Sequence, residues 1–188
     1  MAVEIEIKMK VDDLAPVREK LKHLGARRMH EVLETNIFFD TREHDLLASD
    51  CGLRLRRARD LETAQEKLVI TYKGPRAEGF VKRREEIEVI VDKLDPAVTL
   101  LERLGYVRQL SFEKRRENWK LERCSVELDT LPKLGSFVEI ECANEAEILS
   151  VRKKLGLEHL EPISSTYADL VSQLFSDQHT RESTLKFT

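Results

Sequence analysis

The first ten residues, 1-MAVEIEIKMK-10, carry a charge at every second place: Glu4, Glu6 and Lys8 alternate with Ile5, Ile7 and Met9. Alternation with a period of two marks a strand whose two faces differ. One face is apolar and needs a core. The other presents two carboxylates and an ammonium, an unusual face to give to water, since solvent faces of sheets favour Thr, Gln and Lys over repeated acids.

Outward from this strand, Asp12 or Asp13 can cap a helix whose apolar stripe is Leu14, Val17, Leu21 and Leu24, with Gly25 as its stop. The same pattern returns later. Ile87, Val89 and Val91 alternate with charges, Asp95-Pro96 offers a cap and a first helical position, Val98, Leu101 and Leu104 form the stripe, and Gly105 ends it. The segments 5–25 and 87–105 are therefore two copies of one strand-helix unit. Each copy is followed by three alternating segments: VLETNIFFD, LRLRRAR and KLVITYK after the first, SFEKRRENWKL, SVELD and SFVEIE after the second. With the two leading strands this makes eight, in two β-α-β-β-β sets. Consecutive strands joined by short turns predict an α+β fold built on a mainly antiparallel sheet that curls toward closure, which also removes its edges. Helical stretches at about 144–155 and 163–175 complete a domain over 1–176, with Ser164 and Ser165 read as a helix start. Residues 177–188 read as a polar, loosely ordered tail. The loops at 42–52, 60–66 and 74–80 read equally as lids or as plain connections.

The charge pattern recurs from strand to strand. Arg54 and Arg56 oppose Leu53 and Leu55; Lys73 shares a face with Thr71; Arg84, Glu86 and Glu88 oppose Ile87 and Val89. Lys114 and Arg116 repeat the spacing, as do Glu127 with Asp129 and Glu139 with Glu141. Two explanations stand at this point: a sheet with one face in water, or a closed sheet whose ionic face points inward. In a closed sheet unpaired ions would each cost several kcal/mol, so the interior needs internal pairing, bound ions or ligands. Carboxylates suit hard cations such as Mg2+ or Mn2+, and rows of Arg and Lys suit a polyanion. Together they describe a site for a metal-bound triphosphate, where positioning and charge neutralisation carry most of the chemistry.

Composition narrows the classes. The 188 residues are 36 % charged, against roughly 25 % in an average domain, yet the net charge is only -3. No basic excess points to nucleic acid, no apolar run approaches the roughly 20 residues of a membrane span, and no signal-peptide pattern opens the chain. The expected location is cytoplasmic. Cys51, Cys124 and Cys142 are widely spaced with no CxxC, which reads as packing thiols in a reducing compartment rather than a metal site. Nothing resembles a nucleophile with its base.

Glu4-x-Glu6-x-Lys8 resembles the ExExK signature of the CYTH superfamily, the triphosphate tunnel metalloenzymes. The stretches LRLRRAR, TYKGP, RREEIEV, EKRRENW and LDTLPKLGSFVEIE follow in that family's order, and TYKGP, LGSFVEIE and SSTYADLVSQL are similar to the class IV adenylyl cyclase-like branch. The resemblance spans roughly residues 2–175. It implies an eight-stranded antiparallel closed barrel with flanking helices and a charged tunnel. By motif position it implies Glu4, Glu6 and Glu139 as holders of Mg2+ or Mn2+, with Asp129 and Glu141 close by. Arg54, Arg56, Lys73, Arg84, Lys114 and Arg116 would grip the triphosphate with Lys8 beside them, and Lys8, Lys114 and Arg116 stand nearest the chemistry. Glu86, Glu88 and Glu127 read as partners that hold these bases. One departure stands out: TNIFFD places Asn36 and Phe38 where relatives often have an acid and a phenol.

The implied substrate is ATP or another triphosphate compound, with no nucleic acid or membrane partner and a homodimer left open. Cyclisation of ATP to cyclic AMP and pyrophosphate leads. Hydrolysis of inorganic triphosphate or thiamine triphosphate, and silent binding of a triphosphate or nucleotide, stand as alternatives.

Overall fold

In a computed structural model of the chain, residues 2–77, 79–175 and 183–188 are described. The first unit is β1 (Ala2–Val11), α1 (Ala15–His23), β2 (Arg27–Asp40), a one-turn helix α2 (Asp45–Ala48), β3 (Gly52–Asp60) and β4 (Glu66–Lys73). The second is β5 (Lys82–Val91), α3 (Leu94–Arg103), β6 (Val107–Leu121), β7 (Cys124–Leu131) and β8 (Gly135–Glu141), followed by α4 (Glu145–Leu155), α5 (Tyr167–Leu174) and β9 (Ser183–Leu185).

Both predicted repeats form, and the sheet closes. Its order is β2-β3-β4-β5-β1-β8-β7-β6, and β2 pairs with β6 to complete the ring, every one of these contacts antiparallel. Equivalent strands of the two units lie side by side, β1 against β5 and β2 against β6. Most apolar residues of the alternating strands point outward and are covered by helices, whereas Ile87 and Val89 of β5 stay exposed. Leu21 of α1 with Ile148 and Val151 of α4 packs among Ile7, Met9, Val126, Val138 and Ile140, all at most 2 % exposed. Ala97, Val98 and Leu101 of α3 cover Phe39, Leu53 and Leu55. With most of that side under helices, the ionic face points into the barrel.

Several local readings need correction. Helix α1 begins after Leu14, and Asp13 contributes by accepting the Ala15 N–H at 2.9 Å rather than as the cap itself. Helix α3 starts one residue before Asp95. Helix α5 starts after Thr166, whose capping box with Asp169 supersedes Ser164 and Ser165 as the start. The stops at Gly25 and Gly105 hold, both at positive φ.

Cys124 and Cys142 are not free thiols: they face each other across β7 and β8 and form a disulfide. The widely spaced sequence positions hid a pairing that only the hairpin register creates, and of the three cysteines Cys51 alone is free. Of the stretch read as a tail, 177–182 lie outside the described residues. Ser183–Leu185 add a parallel strand to the first half of β6, where β7 does not reach, and Leu185 is buried there. No described helix is long and apolar enough to cross a membrane.

Candidate active site

The inward faces line a cavity of about 1030 Å³. Its walls include Glu4, Glu6, Lys8, Arg54, Arg56, Lys73, Arg84, Glu86, Glu88, Lys114, Arg116, Glu127, Glu139 and Glu141. The period-two alternation thus brings nearly every residue singled out in the sequence to one interior. Asp129 is the exception, fully buried behind the wall.

One half of the interior is a locked ionic network. The Arg116 guanidinium meets Asp129 through Nε at 2.7 Å and Nη2 at 2.6 Å, and also reaches Glu127 and Glu139. Lys114 lies 3.2 Å from Asp129 and 3.4 Å from Glu34. Burial resists ionisation of Glu139, but Arg116, Lys114 and Lys8 outweigh it and hold that carboxyl well below the usual range. Glu34 is held low in the same way against its own burial, by Lys114, Arg116 and Arg56. Glu127 goes the other way, pushed up to about 8 by burial and by Glu139 and Asp129 despite Arg116. The convergent trio Glu127, Asp129 and Glu139 has ligand atoms within 4.8 Å of one another. In this arrangement a guanidinium already supplies its cation.

The other half is less balanced. Lys73 lies 2.7 Å from Glu4 and 3.4 Å from Glu86, and Lys82 lies 3.5 Å from Glu6. Burial raises the Glu6 carboxyl, and Glu139 and Glu4 raise it further against Lys82 and Lys73. Glu141, opposite Glu6 across the β1–β8 pair, is raised by burial and then by Glu4, Glu6 and Glu86. Crowded all-oxygen carboxylates whose mutual repulsion resists ionisation fit a hard divalent cation, which relieves that repulsion directly.

The basic side chains differ in availability. Burial and then Arg56 lower Arg54, to about 10, and its Nε has no hydrogen-bond partner. Arg56 is shared between Glu34 at 3.5 Å and Glu88 at 3.2 Å. Arg84 is spent on backbone: its Nε donates to the Gly74 carbonyl at 2.8 Å and Nη2 to that of Asp50 at 3.0 Å, joining two loops at the cavity edge. Lys8 is 1 % exposed, and burial lowers its ammonium to about 8.

Sequence reading missed several members. Lys82 shares the inward parity of Arg84, and Glu34 that of Asn36, so alternation could have found both. Tyr167 could not be found that way, because it comes from α5. Its hydroxyl donates to Asp129 at 2.8 Å, and Lys8 and Lys114 sit 4.1 and 4.8 Å from its ring centre. The loop 42–52 contains α2, pinned by Asp40, whose carboxylate accepts the N–H groups of Thr41, Leu46 and Leu47. Arg76 of the loop 74–80 bonds Asp50 and lies 3.5 Å from Asp169 of α5.

Comparison with known proteins agrees with this geometry. The family profile described as CYTH domain matches residues 2–167. A Methanocaldococcus jannaschii protein named "putative adenylate cyclase" is 30 % identical over 177 residues, covering 89 % of this chain and 98 % of that one. A solved Pyrococcus horikoshii protein superposes with a TM-score of 0.78 at 28 % identity, covering 91 % of this chain and 99 % of its own. A Hippeastrum structure described with a dominant triphosphatase activity shares the fold, with a TM-score of 0.66 at 20 % identity, 92 % of this chain and 96 % of that one being covered.

Proposed function

Because the chain belongs to the CYTH domain family, we propose that it is a divalent-metal-dependent enzyme that converts ATP to cyclic AMP and pyrophosphate inside its barrel. The observation that carries this reading is the pairing, within one enclosed cavity, of cationic side chains from β1, β3, β4, β5 and β6 with crowded carboxylates from β1 and β8. The name of the Methanocaldococcus relative supports cyclisation as the reaction.

Glu4, Glu6, Glu139 and Glu141 are the carboxylates that would hold Mg2+ or Mn2+, which supplies neutralisation of phosphate charge and acidifies the attacking hydroxyl. Arg54, Lys73, Lys82 and Arg56 would take the triphosphate oxygens; each is held by carboxylates in the unliganded chain, so binding exchanges one anionic partner for another at little net desolvation. Lys8 and Lys114, steadied on the Tyr167 ring, would neutralise charge that gathers on the departing pyrophosphate. Arg116 acts on this reading by fixing Glu139, although the sequence alone ranked it among the groups nearest the chemistry.

The same ionic set serves hydrolysis, with water as the attacking group, and the Hippeastrum description favours that second reading. Incubation of purified protein with ATP, inorganic triphosphate and thiamine triphosphate under Mg2+ or Mn2+, followed by chromatography, separates them. Cyclic AMP with equimolar pyrophosphate supports the cyclase. Orthophosphate without cyclic AMP replaces it by a triphosphatase.

A further inference from the structure

One wall of the cavity is largely apolar. Along β2 the inward side chains run from Glu34, opposite Lys114, to Asn36, opposite Arg56 and Phe112, and on to Phe38, opposite Leu110 on β6 and Arg54 on β3. Asn36 therefore sits where, on the β2–β6 side, the ionic rows give way to an apolar wall, while Arg54 of β3 remains beside Phe38. It is 1 % exposed and its Oδ1 has no hydrogen-bond partner. Its orientation is fixed by chemistry: Nδ2 faces the Glu34 carboxylate at 3.5 Å, and a flipped amide would set oxygen against that anion. Beyond it the Phe38 and Phe112 rings stack at 5.7 Å and 18°, and Leu47 of α2, on the same cavity, is 66 % exposed.

We infer that this wall seats the organic group of a nucleoside triphosphate, its base against Phe38 and Phe112 and one of its N–H or O–H groups donating to Asn36 Oδ1. The inference rests on the triphosphate reading above and assigns it the residues that would distinguish a nucleoside triphosphate from a bare triphosphate. A bare triphosphate chain offers acceptors, and acceptors cannot satisfy a buried amide oxygen. A donor carried on an apolar, flat group satisfies both the orphan oxygen and the wall. The cavity, at about 1030 Å³, matches the upper end of the roughly 300–1,000 Å³ of clefts that enclose organic ligands, which leaves space beyond the phosphates.

The test is calorimetric titration of ATP and of inorganic triphosphate, in chelator so that no turnover occurs, into the wild type, Asn36→Leu and Phe38→Leu. Each substitution is expected to weaken ATP binding about tenfold, the size of one lost hydrogen bond or ring contact, while inorganic triphosphate stays within twofold. Equal weakening of both ligands, or no change in either, overturns the inference and leaves the triphosphate reading standing. Failure of both ligands to bind the wild type, in chelator and again with Mg2+ present, overturns that reading and the inference with it. Should Asn36→Leu melt before it can be titrated, Phe38→Leu, which keeps the position apolar and buries no polar group, carries the same comparison.

Discussion

Replacing Arg116 by Met tests whether the interior is held together by its ion pairs. Arg116 is 7 % exposed, and its guanidinium serves Asp129, Glu127 and Glu139 together. Removing one partner of a buried pair costs about 3–5 kcal/mol, because the remaining charge is left without compensation. Lys114 still reaches Asp129 at 3.2 Å and Lys8 still lies 3.9 Å from Glu139, which places the expected loss near the lower end, about 3 kcal/mol. At about 2–4 °C per kcal/mol for a chain of this size, the melting temperature falls by about 6–12 °C at pH 7. The pH dependence has a definite sign. In the wild type Glu139 is depressed, so its contribution is present above the unfolded carboxyl pKa, near 4.3, and fades as pH falls through the folded value. Without Arg116 that depression weakens, and protonation relieves the buried anions. The gap between the two proteins should therefore narrow between pH 7 and pH 3, the change falling below about pH 4.3, where the wild type begins to lose the Glu139 contribution. Denaturant unfolding monitored by Trp119 fluorescence at both pH values reads this directly. A loss below about 1 kcal/mol at pH 7, or an equal gap at both pH values, would refute the idea that Arg116 neutralises Asp129 and Glu139.

Glu6→Gln and Glu139→Gln should each abolish metal-dependent turnover with the fold retained; unchanged activity in either removes that residue from the metal site. Tyr167→Phe loses the hydroxyl that holds Asp129 but keeps the ring beneath Lys8 and Lys114, so stability should fall by about 1–2 kcal/mol with little change in triphosphate affinity; Tyr167→Leu should weaken that affinity as well, and equal behaviour of the two variants would dismiss the ring's role. Lys8, lowered to about 8, is charged at pH 7 and largely neutral at pH 9, so triphosphate binding at pH 9 should take up a proton in the wild type and not in Lys8→Arg, as titrations in buffers of different ionisation enthalpy will read. Reduction of Cys124–Cys142, separated by 18 residues, should cost at most about 3 kcal/mol, and less because the β7–β8 hairpin already keeps the two strands together; an unchanged denaturation midpoint after reduction would show that the crosslink contributes nothing.

The strands and the parity of their side chains were legible because a pleated strand writes its two environments directly into alternate residues. Glu4, Glu6, Arg54, Arg56 and Lys114 could be assigned to one face from neighbours two places away, with no knowledge of partners. Helix starts were less legible. Asp13, Asp95 and Ser165 are all competent caps, and the choice among such neighbours depends on where the chain leaves the preceding strand. The disulfide was illegible for a related reason: Cys124 and Cys142 meet only once β7 and β8 adopt their register, opposite each other just beyond Ser125 and Glu141.

Sequence alone, then, determined that eight two-faced strands in two matching units had to place their charges together. Period-two alternation is local, and desolvation forbids an unpaired ionic face inside a core. Only tertiary structure decided how those charges are divided. Closure of β2 on β6 sets Lys114 beside Glu34, and α5 lays Tyr167 under Lys8 and Lys114. These contacts join residues distant in the chain, and their electrostatics depend on separations of a few ångströms, which no local pattern encodes. That is why Arg116 and Arg54, indistinguishable as members of charged rows in the sequence, become a carboxylate-locked cation and a cavity-lining cation whose buried Nε has no hydrogen-bond partner.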